Sequence, residues 1–378
     1  MPWKETTAMS LRTEFIHLAG LAGANLSQLC RRFGISRKTG YKWLKRYRKD
    51  GESGLADRSR RPHHSPRRSS AELEKVVVEA RREHPAWGGR KIRVHLQRKG
   101  HSQLPSPSTI TEILRRNNQI DEEEALKHKP FQRFEMEQPN QLWQMDFKGY
   151  FALEEGGYCH PLTVLDDHSR FLVGLKACSN ETSQTVQEQL SAIFRCYGLP
   201  ERMLMDNGSP WGDDANSPNT ILTAWLMRLG VQISHGHPYH PQTQGKDERL
   251  HRTLKAELLS QHTLNSLPQC QVHFDRWRDV YNYERPHEAL DMQSPISRYQ
   301  PSSRSFPEIL PPILYDTGDI IRKVDESGKI SFHNHIFRVG KAFRYNPVAI
   351  RPMLSDGDYE VIYCNQKIAQ ISLREDNC

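Results

Sequence analysis

The stretch His237-Pro238-Tyr239-His240-Pro241-Gln242-Thr243-Gln244-Gly245-Lys246-Asp247-Glu248-Arg249-Leu250-His251-Arg252-Thr253-Leu254-Lys255 changes character in its middle. A polar, breaker-rich loop gives way to a charged helical run, which places a helix start near Gln244. Leu250, Leu254, Leu258 and Leu259 recur at helical spacing as a buried stripe, while Glu248, Arg252 and Lys255 share another face at i, i+4 and i+7. A carboxylate flanked by cations suits a site for a divalent metal and a polyanion together: the acid holds the ion and the cations meet phosphate. The same pattern also describes a solvated helix face, so other acids must decide.

Two more acids stand in the right contexts. Asp146 lies in Leu142-Trp143-Gln144-Met145-Asp146-Phe147-Lys148-Gly149-Tyr150-Phe151, whose alternation reads as a strand. Asp206 closes the apolar run Met203-Leu204-Met205 and leads into Asn207-Gly208, a buried parallel strand ending in a turn. Ligand sites in open α/β sheets form at such carboxyl ends. Acids at a strand, a strand end and a helix can converge on one point.

In this order, Asp146, Asp206-Asn207-Gly208 and Pro241-Gln242-Thr243-Gln244-Gly245-Lys246-Asp247-Glu248-Arg249 resemble the catalytic core of the insertion-sequence transposases related to retroviral integrases, the DDE type. Downstream, Tyr281-Asn282-Tyr283-Glu284-Arg285-Pro286-His287-Glu288-Ala289-Leu290 followed by Ser294-Pro295 is similar to that family's closing motif. The resemblance implies a ribonuclease-H-like core with Asp146, Asp206 and Glu248 as catalytic and metal-binding residues. Three such carboxylates can hold two Mg²⁺ ions about 3.5 to 4 Å apart, and Mn²⁺ can substitute. It further implies a DNA transposase, a Mg-dependent polynucleotidyl transferase in which water frees a 3′ end and that 3′ hydroxyl attacks target DNA. Double-stranded DNA, as element terminal repeats and as target, is the expected partner. A homodimer or higher oligomer is expected because two ends must act in concert. Rival readings are a DNA-binding regulator or domesticated transposase with a non-catalytic core, and a plain nuclease of the same fold.

Charge supports the DNA reading. The chain of 378 residues has a formal net charge of +8, but residues 1–130 hold 28 Lys or Arg against 14 Asp or Glu, a net of +14. The remaining 25 basic and 31 acidic residues give −6. A basic segment of this size points to nucleic acid, since neutralising phosphate releases condensed counterions. No apolar run is long enough to span a bilayer and no signal-peptide pattern opens the chain, so no membrane partner is expected. Seven scattered cysteines argue for a reducing, cytoplasmic compartment, and the resemblance implies one of bacterial, nucleoid-associated type. His63 and His64 lack spaced cysteine partners, so no structural zinc is expected, a departure from retroviral integrases.

The length allows about two to four domains. The expected fold is a multidomain α/β chain with N-terminal helix-turn-helix units, a ribonuclease-H-like catalytic core and a small C-terminal β-barrel. Residues 1–50 read as a first helix-turn-helix, with Ser36 capping a third helix in which Trp43, Leu44 and Tyr47 pack. Arg37 and Lys38 are then base readers, and Lys42, Lys45 and Arg46 phosphate contacts. Gly40 inside that helix marks close approach of a neighbour. Residues 51–70 form a basic linker, and 71–120 a second helix-turn-helix with Arg90 as a DNA contact and Ser108 as a cap. Residues 121–139 read as a hinge, 140–300 as the core, 301–314 as a connector and 315–378 as the barrel. In the core, Lys246, Arg252 and Lys255 are further DNA contacts.

Residues 207–247, forty-one of them, separate Asp206 from Glu248, a wider gap than the resemblance implies, with the excess expected in the loop 209–219. Asp166, Asp167, Asp213 and Asp214 fit turns, and His235, His237 and His240 fit a structural or DNA-facing loop. Between the adjacent acids, helix geometry sets Glu248 with Arg252 and Lys255, whereas Asp247 aligns with His251 and Leu254 towards the margin of the packed side.

A fragment of residues 1–120 is therefore expected to bind duplex DNA without the core. If six phosphates are neutralised, affinity should fall by about 10³ between 50 and 200 mM salt. Fluorescence anisotropy at the two salt concentrations checks this, and salt-independent binding would contradict it.

Overall fold

A computed structural model describes residues 8–57, 69–120, 135–212, 219–235 and 245–374. The chain divides into two compact units, residues 1–68 and 69–378.

The first unit is a three-helix group, α1 (Ala8–Ala19), α2 (Leu26–Arg32) and α3 (Arg37–Asp50), closed by a 3₁₀ turn at Gly51–Leu55. Ser36 caps α3 by accepting from the Thr39 amide at 3.1 Å, as its hydroxyl and position predict. Phe15, Ile16, Cys30, Trp43 and Leu55 form the core. A Cβ on Gly40 would stand 2.7 Å from Cys30 Sγ and 2.9 Å from the Phe15 ring, which explains a glycine mid-helix. Tyr47, expected inside, is 38% exposed. Trp43 is instead covered by cations, with Arg12, Lys42 and Arg46 at 4.1, 4.6 and 5.0 Å from the ring.

The second unit opens with α4 (Ala71–Glu83), α5 (Gly89–Arg98) and α6 (Pro107–Arg116), packed on Val77, Trp87, Ile92, Ile110 and Ile113. Ser106, not Ser108, caps α6: it accepts from the Thr109 amide at 3.3 Å, and Pro107 takes the first helical position where its missing N–H costs nothing.

A mixed sheet follows. Its strands are β1 (Leu142–Phe147), β2 (Phe151–Ala152), β3 (Tyr158–Asp166), β4 (Leu172–Cys178), β5 (Arg202–Met205) and β6 (Gln232–His235). The order is β4-β3-β1-β5-β6, with β2 pairing the start of β3. β3 is antiparallel to β1 and β4, while β1, β5 and β6 run parallel. Helices α7 (Ser183–Tyr197) and α8 (Ile221–Arg228) cover one face through Leu190, Phe194, Leu222 and Leu226. Helices α9 (Gly245–Leu254) and α10 (Leu267–Asp279) cover the other through Leu250, Leu254, Leu258, Cys270 and Phe274. Of the predicted leucine stripe, Leu250, Leu254 and Leu258 are buried and Leu259 is partly buried, the last two in a π-helical turn, Lys255–Leu259, that continues α9.

The last residues of the expected core and the first of the expected connector are laid along the sheet and its helices. Tyr299 stacks on Phe171 at 4.0 Å, Asn140 donates to the Gln300 carbonyl at 2.8 Å, and Arg304 donates to the Gly230 carbonyl at 2.8 Å. Gly198 (φ +76°) admits this strap, since a Cβ there would lie 2.7 Å from the Ser302 carbonyl oxygen.

The last strands are β7 (Ile320–Lys323), β8 (Lys329–Phe332), β9 (His335–Arg338), β10 (Pro347–Pro352), β11 (Asp358–Tyr363) and β12 (Gln366–Ser372). They form an open four-stranded antiparallel sheet, β12-β11-β10-β7, and a separate β8-β9 hairpin, so the expected barrel is not closed by a continuous ladder. Residues 366–372 were not expected as a strand. β12 ends the sheet, bulged against β11, and its Gln366 side chain bonds the Val231 carbonyl and Ile233 amide beside β6 at 2.7 and 3.1 Å. Among the described residues, no helix is long and apolar enough to cross a membrane.

Gly40→Ala is expected to destabilise the first unit by about 1 to 3 kcal/mol, because Cys30 and Phe15 must move. Denaturant unfolding of the variant measures the loss, and an unchanged midpoint would mean the contact is not close-packed.

Candidate active site

Strand parity places the first acid. On β1, Trp143 and Met145 enter the core under α7 and α8, so Gln144 and Asp146 face α9. On β5, Met203 and Met205 share that core, which turns Leu204 and Asp206 the other way. β1 and β5 pair in parallel with Leu142↔Arg202, Trp143↔Met203 and Gln144↔Leu204. The ladder ends there, and Asp146 and Asp206 each follow two residues further on, at the carboxyl ends of the two strands.

Electrostatics shows the proximity. Burial, and then the charge of Asp206, push the Asp146 carboxyl up to about 6. Asp206 is also raised by burial, against a 3.1 Å bond from the Gly208 amide and the nearby His235. His235, level with Met205 on β6, bonds the Asp206 carbonyl through Nδ1 at 2.9 Å. Glu181, after β4, raises both acids and is held by His160 at 2.8 Å. Half-buried carboxyls that resist ionisation side by side are a site that a divalent cation would relieve, and all-oxygen donors fit Mg²⁺.

α9 is anchored above them. His251 bonds Thr163 Oγ1 at 2.9 Å, and Thr163 donates to the Asp146 carbonyl at 2.9 Å. The His251 ring lies 3.9 Å from Asp146 Oδ2, but burial pushes its pKa down to about 4, so it is a neutral neighbour and not an ion-pair partner. Asp247, expected at the margin of the packed side, is 1% exposed, and neither carboxyl oxygen has a hydrogen-bond partner. Burial and the charges of Asp146 and Asp167 hold its pKa far above the usual range.

Glu248 is exposed, as are Arg252 and Lys255, the last at the start of a π-helical turn, Lys255–Leu259, that continues α9. The structure thus brings Asp146 and Asp206 together and leaves Glu248 on the solvent side of α9, outside the charges that act on the pair. Lys246, expected as a DNA contact, turns inward: its ammonium bonds Asp167, and its side chain is 16% exposed. In the first unit Arg37, Lys38, Lys42 and Lys45 are exposed, while Arg46 is half-buried over Trp43. Arg90 is exposed but points to Glu288 at 3.8 Å.

Asp166 and Asp167 are buried, and both accept backbone amides as turn residues should: Asn140 at 2.7 Å for Asp166 and Met136 at 2.8 Å for Asp167. Residues His63, His64, Asp213, Asp214, His237 and His240 lie outside the described residues. Glu181 was missed from sequence, since a lone Glu before a helix carries no signal without the sheet order.

Several segments of the chain are similar to known families and proteins. Residues 136–241 and 229–295 match models described as integrase core domains, and 9–56 and 39–114 match homeodomain-like domains. Residues 319–378 match the IS481 family transposase C-terminal domain. An uncharacterized 31.7 kDa protein of insertion element IS407 from Burkholderia multivorans is 27% identical over 157 residues, 42% of this chain and 54% of that protein. The Gag-Pro-Pol polyprotein of Simian retrovirus SRV-2 is 33% identical over 123 residues, 32% of this chain and 6% of the polyprotein. The BIV integrase catalytic core domain superposes with a TM-score of 0.32 at 21% identity, covering 42% of this chain and 92% of that one. The chain spans about half or less of the length of these curated relatives.

The raised carboxyls set a pH dependence. An acid whose folded pKa lies above its unfolded value removes stability as pH rises from the unfolded to the folded value. For Asp146 that window is about 4 to 6, and for Asp247 it extends higher. Asp247→Asn is therefore expected to flatten the loss of metal-free stability between pH 5 and 8. Urea midpoints across that range measure it, and parallel curves for both proteins would contradict it.

Proposed function

Since the chain belongs with the insertion-sequence transposases that carry an integrase-like core, we propose that it is a DNA transposase and Mg²⁺-dependent polynucleotidyl transferase. It binds the ends of its element, cleaves to free 3′ ends and joins them to target DNA. The observation that supports this reading is Asp146 on β1 beside Asp206 just past the end of β5, two half-buried carboxyls, with the charge of Asp206 raising Asp146.

Asp146, Asp206 and Glu248 would hold the metal, as two Mg²⁺ ions or as Mn²⁺ in their place. Bound there, the metal supplies an activated attacking oxygen and a stabilised leaving oxygen. Each of the chain's own groups has a part in this. Asp146 is fixed by its strand, and Asp206 by the Gly208 amide. Glu248 completes the set from the first turn of a helix anchored through His251. Arg252 and Lys255, on the same open face, meet the phosphates of the strand to be cut. His251, neutral and buried, separates Asp146 from solvent on the α9 side without competing for it.

The homeodomain-like segments supply DNA binding, with exposed Arg37, Lys38, Lys42 and Lys45 along α3. The domain limits follow the sequence reading except that the first helical unit takes in Gly51–Leu55, whose Leu55 is part of its core and not of a linker, and the C-terminal sheet is a further DNA or packing module. A dimer or larger assembly brings two ends together, in a cytoplasmic, nucleoid-associated setting.

Glu248→Gln is expected to lower nicking and strand transfer by more than about a hundredfold, beyond the loss typical of an outer-shell change, with DNA binding retained. Asp247→Asn should keep substantial activity. Cleavage and joining of labelled end DNA in Mg²⁺ and in Mn²⁺ test this. An inactive Asp247 variant beside an active Glu248 variant would overturn the assignment. Binding without nicking by the unsubstituted chain would favour a DNA-binding regulator.

A further inference from the structure

A second set of metal-ligating side chains lies away from the sheet. Glu83 ends α4, His84 follows it and His95 lies in α5, and one ligand atom from each falls within 4.8 Å of the others. His95 is 5% exposed, and its Nε2 has no hydrogen-bond partner. A buried imidazole nitrogen left without a partner is costly, and it calls for a group that can satisfy it.

The rings are already oriented. His84 stacks flat on Trp87, with centroids 3.7 Å apart and planes at 7°, and stands edge-on to His95 at 5.0 Å. Burial holds both imidazoles neutral, pushed down to about 4, so each offers a lone pair at neutral pH. Glu83 adds the negative charge that two neutral rings lack. Its present partner is Lys99 at 3.4 Å, and both side chains are more than half exposed, so the ammonium can move into solvent.

We propose that Glu83, His84 and His95 form a structural site for a zinc-class divalent cation that pins the carboxyl end of α4 to α5. Two nitrogens and one oxygen suit a borderline cation and not Mg²⁺, which prefers oxygen donors. Tetrahedral zinc bonds nitrogen and oxygen at about 2.0 to 2.2 Å, which sets its ligand atoms about 3.3 to 3.6 Å apart. The three ligand atoms lie within 4.8 Å of one another, so the cluster closes on an ion by side-chain rotation, and water fills the remaining position. An ion held on Nε2 would satisfy His95 and stiffen the helical group that docks on the core through Arg98, whose guanidinium donates to the Met292 carbonyl at 2.9 Å. This site is independent of the carboxylates on the sheet.

The full chain, stripped with chelator and dialysed, is titrated with Co²⁺ as the spectroscopic probe and then with Zn²⁺. A visible Co²⁺ absorption band of low coordination number, displaced by Zn²⁺, is expected. His95→Ala should abolish it, and Glu83→Gln should weaken binding at least about tenfold. Lys99→Ala should strengthen binding by removing the rival ammonium. Asp146→Asn should leave the band in place. Glu83→Gln changes only an exposed side chain, so it keeps the test valid if His95→Ala does not fold. The absence of a band, or a band lost in Asp146→Asn and unchanged in Glu83→Gln, would overturn the proposal.

Discussion

β1 lies between an antiparallel neighbour, β3, and a parallel one, β5, and the rest of the second unit follows from that position. A strand paired on both sides and covered on both faces must place every side chain in protein. Alternation then sends Trp143 and Met145 to one core, and Gln144 and Asp146 to the other face. An acid at the open end of such a strand is half desolvated. Its carboxyl resists ionisation, and the parallel partner brings a second acid beside it. The proximity of the two carboxyls is thus a consequence of the parallel pairing of β1 with β5.

The helix above the pair is held at both ends by buried polar groups. At its start, Asp167 gathers the Lys246 ammonium, the Gln144 amide at 2.7 Å and the Met136 backbone amide at 2.8 Å. Beyond its end, Glu257 bonds Arg285 at 3.2 Å and the Trp277 indole at 3.0 Å, with both members of the ion pair under 10% exposed. Isolated buried ion pairs contribute little net stability, but fully hydrogen-bonded ones fix geometry. Here they fix which face of α9 meets the sheet. The closing motif around Arg285 is therefore tied to the helix of Glu248 through Glu257, although Arg285 and Glu248 are far apart in sequence.

The acids, their contexts and the helix faces were legible in the sequence because each rests on a local period. Alternation marked β1, an apolar run ending in Asp-Asn-Gly marked β5, and a leucine stripe marked α9. Ser36 and Gly40 were legible for the same reason, one through capping chemistry and the other through the cost of glycine in a helix. Ser108 was misread because two serines flank Pro107, and only the backbone shows which one precedes the first helical turn. Lys246 was misread because its charge fits phosphate as well as it fits Asp167, a residue in a different element.

By itself, then, the sequence determined most of the elements of the core, the order of the three acids, the basic front third and the separation of Glu248 from Asp247 by helix phase. Tertiary structure alone decided that Asp146 and Asp206 are neighbours, that Asp247 is buried beside them while Glu248 faces solvent, and that residues 298–304 strap the core. It also decided that His84 and His95 meet Glu83 across two helices. The physical reason is the same in each case. Local periodicity fixes which way a side chain points along its own element, but its neighbours, and hence its ionisation and partners, are set by contacts between elements distant in the chain.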